Sequence, residues 1–366
     1  MEKLSKLAMD YPLCEGACLS GIATKQSLEG GPASTDLEYG MKGAKSAVVF
    51  AVPLDQSLIP DYLGKKDRLA FETNYERTNS LASGVAVKLS NYLTQKGHPA
   101  VPLAANDVYR DDTPNGRIDM MPPVSLRYLA VAAGVGSFGL SGNVITDEHG
   151  AGVILGAVLT SADLLPTSSI EEKDNYCDEC KMCLNGCASQ LMNPEIKTVV
   201  TMGGKTFTYS ERNHYMRCQY VCGGFTGIHP SGKWSTWSPG RFAIPDKDEE
   251  IAPVFLASMD AYNKRPEGPG GHYHSLMDSK LYNTCANCQL FCVPEKKERT
   301  RRYKLLTNGG VVVQNSDGTL DAVPPEEAGK LLNEMKPEVR ALYEGDIKPN
   351  PELMALFKSM KPVAAN

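Results

Sequence analysis

Four cysteines lie close together near the middle of the chain, spaced C-x-x-C-x-x-C-x-x-x-C. This spacing is typical of the bacterial ferredoxin run, in which three thiolates bind one [4Fe–4S] cluster and the fourth binds a second cluster. Zinc sites use separated C-x-x-C pairs instead, and clustered cysteines have no special value in packing. The spacing therefore predicts iron–sulfur ligation by Cys177, Cys180, Cys183 and Cys187.

A second set of cysteines lies later in the chain, spaced C-x-x-C-x-x-x-C, with further cysteines upstream of it. Two [4Fe–4S] clusters require eight thiolates, so both sets must contribute. A crossed arrangement would place the two clusters close together and form an electron relay. One predicted group is Cys177, Cys180, Cys183 and Cys292, and the other is Cys187, Cys285, Cys288 and either Cys218 or Cys222, of which Cys218 is preferred.

The composition limits which classes of protein this chain can belong to. The 366 residues are 42% hydrophobic and 22% charged, as in a globular protein with a buried core. The net charge of −5 is unlike that of a general nucleic-acid binder, although a local basic patch could still bind RNA. No apolar run is long enough to span a bilayer, and the first residues lack the apolar core of a signal peptide. We therefore expect a cytoplasmic protein, whose 11 cysteines stay reduced.

Apolar periodicity and Gly or Pro boundaries predict alternating strands and helices before the first cysteine set. This alternation indicates a layered α/β domain over residues 1–165. The predicted elements are a strand over 43–54, a helix over 74–97, a strand over 98–106, a proline-led helix over 122–133, and a strand over 151–160 after a turn at Asp147–Gly150.

The remaining chain divides into two further predicted regions. Residues 166–304 would form the cluster module, with a long irregular insert over 219–284 that contains both tryptophans, Trp234 and Trp237, in a binding-type loop. His272 and His274 in this insert are weak evidence for a metal site. Residues 305–366 would form a hairpin that turns at Ser316–Gly318, followed by helices.

The order of these motifs resembles that in epoxyqueuosine reductases and the related reductive dehalogenases, the cobalamin-dependent iron–sulfur reductases. The resemblance covers most of residues 40–300 and implies an α+β fold: a nitroreductase-like α/β core with a ferredoxin-like double [4Fe–4S] module. It also implies base-off cobalamin as the electron acceptor. The stretches that carry it are GAKSAVVFAVPL, PPVSLRYLAVAAGVGSFGLSGNVITDEHGAG, CDECKMCLNGC, and RCQY followed by YNTCANCQLFCVPEKK.

The glycine-rich stretch after the proline-led helix is the expected contact with cobalamin. It matches G-x-G-x-x-G, but a helix precedes it where a dinucleotide fingerprint requires a strand, so nicotinamide binding is disfavoured. Glycine allows the backbone to approach a flat ligand closely. The residues predicted to bind cobalamin are Gly136, Ser137, Phe138, Gly139, Ser141 and Asn143.

The resemblance also suggests the catalytic residues. Epoxyqueuosine reductases place an aspartate proton donor before the proline-led helix, and Asp119 is the nearest match. Dehalogenases use a tyrosine beside a basic residue, for which Tyr109 and Tyr128 are the candidates. The long spacing from Cys218 to Cys285 departs from both relatives and indicates a paralogue with its own substrate.

The expected partners are a small-molecule substrate and an external electron donor such as a ferredoxin or flavodoxin, with tRNA less favoured. The basic run over 296–304 is either a solvated helix face or a docking site for RNA or for an acidic electron donor. Two alternatives to a cobalamin reductase stay open. One is a ferredoxin-like electron carrier without its own catalytic cofactor, and the other is a flavin-containing reductase.

Overall fold

The structure is a computed structural model that describes residues 1–103, 109–268 and 284–345, together with 347, 351, 352 and 355. Helices and strands are mixed along the chain, which confirms the α+β class in its general form. The strands are β1 (Leu19–Thr24), β2 (Ser46–Pro53), β3 (Ala100–Leu103), β4 (Ser137–Phe138), β5 (Val144–Ile145), β6 (Val153–Thr160), β7 (Met192–Met202), β8 (Lys205–Arg212), β9 (Val311–Gln314) and β10 (Leu320–Val323).

Helices of very different lengths connect these strands, and the longest spans 27 residues. Short 3-10 turns cover Ala33–Thr35, Gly116–Asp119 and Glu172–Asp174. The α-helices are α1 (Glu2–Cys14), α2 (Lys25–Leu28), α3 (Leu37–Gly40), α4 (Ile59–Leu63), α5 (Leu69–Gln95), α6 (Leu126–Ala132), α7 (Met182–Asn185), α8 (Met216–Cys222), α9 (Asp248–Asn263), α10 (Asn287–Leu290), α11 (Lys296–Thr307), α12 (Pro325–Glu334) and α13 (Pro337–Arg340).

A four-stranded sheet in the order β1-β2-β6-β3 forms the centre of the N-terminal region. Its three strand pairs are all antiparallel. β2 and β6 are buried almost throughout, as their continuous apolar sequences require when helices cover both faces of a sheet. The predicted strands over 43–54 and 151–160 are therefore confirmed. The predicted strand over 98–106 is β3, and residues 104–106 lie outside the described part of the chain.

The sheet separates two hydrophobic cores because successive side chains of a strand point to opposite faces. Val48 and Phe50 of β2 belong to the core that contains α5. Val49 and Ala51 belong to the other core, which contains α6. Cys183 is part of the core on the α5 side, and five other cysteines of the predicted groups pack against this core: Cys177, Cys187, Cys218, Cys285 and Cys288. The sheet thus backs the candidate cluster region.

Two predicted helices differ from the structure at their ends. α5 begins at Leu69, before the predicted start, and two residues of its predicted apolar stripe, Leu81 and Val87, are exposed. α6 begins at Leu126, so the expectation that proline leads this helix is wrong. A proline disfavours helical backbone in the residue before it, and residues 121–125, which include Pro122 and Pro123, are not helical.

The region after Cys187 is more regular than predicted. β7 and β8 form a long antiparallel hairpin. The irregular insert predicted over 219–284 contains the 16-residue helix α9, so that prediction is wrong for its middle part. Both tryptophans are buried, and the indole N–H of Trp237 donates to the carbonyl of Tyr62 at 2.9 Å, so they serve the core rather than a binding loop. His272 and His274 lie outside the described residues.

The C-terminal region follows the prediction over its described part. β9 and β10 form the expected hairpin, and Gly318 has a positive φ of 85° in its turn. α12 begins with Pro325 and has acidic residues in its first turn. Residues 356–366 lie outside the described part. None of the helices described here is long and apolar enough to cross a membrane.

Candidate functional site

The ferredoxin run adopts a tightly wound backbone. Glu179 and Lys181 have positive φ angles of 49° and 59°, a left-handed conformation that is uncommon outside glycine. Lys181 caps the short helix α7, which carries Cys183 and ends just before Cys187. Cys177 and Cys180 are close enough to Cys183 to interact with it, as ligation of one cluster by the first three cysteines requires.

The first predicted group of cysteines comes together in the structure. Burial raises the pKa of Cys183 far above its usual value, and the thiols of Cys292, Cys288, Cys177 and Cys180 raise it further. Burial also raises the pKa of Cys292 to about 12, and Cys177 and Cys180 add to this effect. The thiols are therefore close enough to interact although Cys292 is remote in sequence. The influence of Cys288 on Cys183 shows that the two groups adjoin.

The second group also assembles from distant stretches. Burial raises the pKa of Cys285 strongly, and Cys218, Cys288 and Cys187 add to it. Burial likewise raises the pKa of Cys288 to about 12, with Cys187 and Cys218 contributing. Cys222 forms a hydrogen bond with Cys218, which is the largest cause of the raised pKa of Cys218. This geometry favours Cys218 over Cys222 as the eighth ligand, and the assignment stays a prediction.

The donor set of the two groups is the one that iron–sulfur clusters use. No three His, Cys, Asp or Glu side chains converge on a single ion position in the described ranges. In a [4Fe–4S] cluster each thiolate binds a different iron, so the sulfurs surround a cube rather than meet at one point. Burial alone disfavours the thiolate form, whereas bound iron would supply the positive charge that stabilises it. The donor set therefore fits clusters.

Several hydrogen-bond donors point at cysteine sulfurs. The N–H of Leu140 donates to Sγ of Cys177 at 3.2 Å, and the N–H of Leu191 donates to Sγ of Cys187 at 3.4 Å. The guanidinium of Arg299 lies 3.5 Å from Sγ of Cys180. Donors of this kind stabilise negative charge on sulfur and set the potential of a cluster. Leu191 follows Cys187 closely in the sequence, whereas Leu140 and Arg299 are remote from the cysteines that they contact and had no local signal.

The glycines of the predicted cobalamin loop pack against the neighbouring strand. A Cβ on Gly136 would come within 2.6 Å of Cγ1 of Val144, and one on Gly139 would meet Ile145 at 3.2 Å. Ser137 pairs with Ile145 in the β4–β5 hairpin. Glycine is therefore explained at both positions by hairpin packing, and contact with a corrin ring stays a prediction.

The other three predicted loop residues have different surroundings. Phe138 is buried among aromatic rings, with the ring centroid of Tyr209 at 4.9 Å. Ser141 is buried and accepts a hydrogen bond from the N–H of Asn143 at 3.2 Å. The side-chain amide of Asn143 lies 3.5 Å from Sγ of Cys288. Asn143 thus connects the loop directly to the second cysteine group.

Asp119, the predicted proton donor, is held as a carboxylate. It accepts hydrogen bonds from the backbone N–H and the side-chain amide of Asn115, at 3.0 Å and 2.8 Å. Burial alone would raise the pKa of Asp119, but these hydrogen bonds outweigh it and lower the pKa below its usual value. Nε2 of His214 lies 3.9 Å from the carboxylate. The role of Asp119 stays a prediction. Because its pKa is lowered, Asp119 is ionised at neutral pH and is a poor proton donor there.

Tyr128 is buried in the second core. Its hydroxyl shares a hydrogen bond of 2.7 Å with the hydroxyl of Tyr209. Burial, followed by this contact with Tyr209, raises the pKa of Tyr128 well above its usual value. Tyr128 is therefore held as a neutral phenol, and its catalytic role also stays a prediction.

Tyr215 is a candidate that sequence analysis missed. Its hydroxyl accepts hydrogen bonds from the guanidinium groups of Arg127 and Arg212, both at 2.8 Å. Burial would raise the pKa of Tyr215, but the charges of Arg212 and Arg127 outweigh it and lower the pKa. Arg212 also donates to Asn143 at 2.8 Å, and Asn143 contacts Cys288. Hydrogen bonds thus connect Tyr215 through Arg212 and Asn143 to Cys288 of the second group. Asn143 and Cys288 are remote from Tyr215 in the sequence, so no local pattern indicates this connection.

Comparison with known proteins agrees with the resemblance. No protein-family model matches the chain. The chain is 37% identical over 75 residues to an epoxyqueuosine reductase of Gloeobacter violaceus, covering 20% of this chain and 23% of that protein. It is 38% identical over 68 residues to one of Atelocyanobacterium thalassa, covering 19% and 21%. These matches confirm the predicted resemblance to the epoxyqueuosine reductases, although they span only about a fifth of the length of those curated relatives.

Solved structures of related proteins are also similar to this chain. An epoxyqueuosine reductase from Bacillus subtilis matches with 15% identity and a TM-score of 0.42, covering 93% of this chain and 88% of that one. An epoxyqueuosine reductase with an epoxyqueuosine-modified tRNA stem loop matches with 17% identity and a TM-score of 0.39, covering 62% and 59%. A catabolic reductive dehalogenase matches with 15% identity and a TM-score of 0.41, covering 56% and 27%.

Proposed function

We propose that this chain is a cytoplasmic iron–sulfur oxidoreductase that passes electrons through two [4Fe–4S] clusters to a bound cobalamin, which reduces an organic substrate. The observation that carries the proposal is the meeting of eight cysteines from distant stretches in two adjoining, partly buried groups. The local similarity to epoxyqueuosine reductases supports it. The proposed core is residues 1–165, the cluster module 166–304 and the C-terminal region 305–366.

The chain would hold the clusters through the two cysteine groups and tune them by burial and by hydrogen bonds to sulfur. Cobalamin, when bound, would supply a reducing metal centre for the substrate. The proposed ligands of the first cluster are Cys177, Cys180, Cys183 and Cys292, and those of the second are Cys187, Cys218, Cys285 and Cys288.

The substrate is proposed to bind beside the second cysteine group, where Asp119, His214 and Tyr215 are close together. Asp119 approaches His214, whose neighbour Tyr215 leads through Arg212 and Asn143 to Cys288. A phenol whose pKa is lowered is a better proton donor near neutral pH than one of ordinary pKa. We therefore include Tyr215 with Asp119 and Tyr128 among the candidates for delivering a proton to the reduced substrate.

The experiment that tests this proposal is anaerobic reconstitution with iron and sulfide, followed by addition of cobalamin. Two clusters require about eight irons per chain, and bound cobalamin should show the absorption spectrum of its base-off form. Far fewer irons would overturn the cluster assignment. A full iron content with no base-off spectrum and no corrinoid in the purified protein would overturn the cobalamin assignment alone. Epoxyqueuosine-containing tRNA and halogenated organic molecules are the substrates to test first.

The packing of the glycine-rich loop favours a second candidate function. Because Gly136 and Gly139 face Val144 and Ile145 rather than a cavity, the chain could act as an electron carrier without a catalytic cofactor of its own. This candidate predicts reversible reduction of both clusters with no binding of cobalamin or flavin and no turnover. Titration of the reconstituted protein with each cofactor separates the two functions.

A further inference from the structure

Helix α11 has two faces of different character. Its inner face carries the buried Arg299 and Arg302. Its outer face carries Lys297, Arg301 and Lys304, all exposed. Residues four and three apart on a helix lie on one side, so these three cations form a continuous strip. This strip, called the outer basic face here, borders a shallow surface depression of about 380 Å³.

The inner face of α11 is attached to the first cysteine group. The guanidinium of Arg299 lies 2.8 Å from the carboxylate of Asp178 and 3.5 Å from Sγ of Cys180. Arg302 donates to the carbonyl of Leu290 at 2.9 Å, in the segment that leads to Cys292. A helix with its side chains is about 10–12 Å across. The outer basic face is therefore separated from the first group by roughly the thickness of one helix.

The positive charge of this face contrasts with the net charge of the whole chain, which is −5. Arg301 and Arg302 are paired with Glu298, at 2.6 Å and 2.7 Å. Lys297 and Lys304 form no ion pair with any residue that the structure describes. The strip therefore keeps an unbalanced positive charge, which attracts an acidic partner over a longer range than direct contact.

We propose that the outer basic face of α11 is the docking surface for an acidic one-electron carrier protein, which reduces the cluster held by Cys177, Cys180, Cys183 and Cys292. The proposal rests on the proposed function and adds the site of electron entry to it. In this electron transfer, the reduced carrier would lose one electron and the oxidised cluster would gain it. No bond would form or break, and no proton would be transferred. Steering by opposite charge brings the carrier over the helix that contacts this cluster.

The form of the strip favours a protein over RNA. RNA binding requires cations that follow several phosphates along a strand, whereas this face is confined to one short helix of a chain with net negative charge. An acidic carrier requires only a compact complementary patch close to a redox centre. RNA binding at this face is the competing outcome of the test below.

The test uses the iron-loaded protein and a purified flavodoxin, an acidic carrier. The variant is Lys297→Glu with Lys304→Glu. It replaces two positive charges of the outer basic face by negative charges and leaves Arg299 and Arg302 in place. The control is Lys330→Glu with Lys336→Glu, which changes the net charge equally at exposed positions on and after α12. Three quantities are measured at low and high salt: the affinity for flavodoxin and the affinity for tRNA by titration, and the rate of cluster reduction by stopped-flow absorbance. Dithionite serves as a small reductant that needs no docking surface.

We expect the α11 variant to lose about tenfold or more in affinity and reduction rate with flavodoxin at low salt. Salt should slow the unmodified protein toward the rate of the variant, while dithionite should reduce both at equal rates. Unchanged reduction by flavodoxin, or an equal loss in the control, would overturn the proposal, as would loss of tRNA binding with flavodoxin reduction intact. Failure of the proposed function appears separately, as missing iron and no bleaching by dithionite in the unmodified protein.

Discussion

Gly150 lies directly against Cys292. This contact joins the turn before β6, which contains Gly150, to the last cysteine of the second set. A Cβ on Gly150 would come within 2.0 Å of the carbonyl oxygen of Cys292. The N–H of Ala151 donates to the same oxygen at 2.9 Å. Gly150 also has a positive φ of 59°, which glycine adopts without strain. The turn thus holds Cys292 next to the start of β6, although Cys292 is remote from this turn in the sequence.

Replacing Gly150 by Ala should therefore displace Cys292 and weaken the first cluster. We expect a loss of unfolding free energy of more than about 2 kcal/mol, because a backbone clash adds to the strain of a left-handed residue. The bound iron should also fall. The matched control is Gly232→Ala, at a glycine with φ of 69° and no atom within 4 Å of a Cβ. Equal losses in both variants, measured by denaturant unfolding and iron analysis, would show that the contact with Cys292 is unimportant.

The cysteine assignment can be tested one ligand at a time by replacement with Ala. We expect Cys292→Ala and Cys218→Ala each to lower the iron content from about eight to about four per chain, because each removes a ligand of one cluster. Cys222→Ala and Cys14→Ala should keep the full content. Iron retained without Cys218 and lost without Cys222 would instead identify Cys222 as the eighth ligand.

The guanidinium of Arg299 should raise the reduction potential of the first cluster. Its positive charge near Sγ of Cys180 stabilises the added electron, so Arg299→Gln should lower the potential. A charge-assisted hydrogen bond worth about 1.5 kcal/mol corresponds to about 60 mV for one electron. Potentiometric titration followed by electron paramagnetic resonance measures the shift. Arg301→Gln, on the exposed face, should change the potential little, and a shift of equal size there would contradict this reason.

Tyr215 should ionise at a lower pH than the other tyrosines. The charges of Arg212 and Arg127 favour its phenolate, whereas Tyr128 is held neutral by burial and by Tyr209. An ultraviolet titration of the folded protein should show a first step below the ordinary tyrosine pKa of about 10. Tyr215→Phe should remove that step and Tyr128→Phe should leave it. If the step persists in Tyr215→Phe, the phenolate belongs to another residue.

Local patterns predicted much of the architecture because they depend on neighbouring residues only. The predictions of strand β2 and of the turn at Gly318 are confirmed, because strand burial and turn geometry depend on a few neighbouring residues. The start of α6 was misjudged because a proline can precede a helix as well as open it. Helix α9 was missed because glycine and proline around it dominate the composition of the segment.

The sequence by itself determined the chemistry of the candidate ligands: the cysteine spacings indicate iron–sulfur ligation, and thiol spacing is a local property. Only the tertiary structure decided which groups surround them. The contacts of Arg299 with Cys180 and of Arg127 with Tyr215 join segments far apart in the chain. Such contacts form through packing of the sheet, the helices and the β7–β8 hairpin, and no short stretch of sequence encodes them.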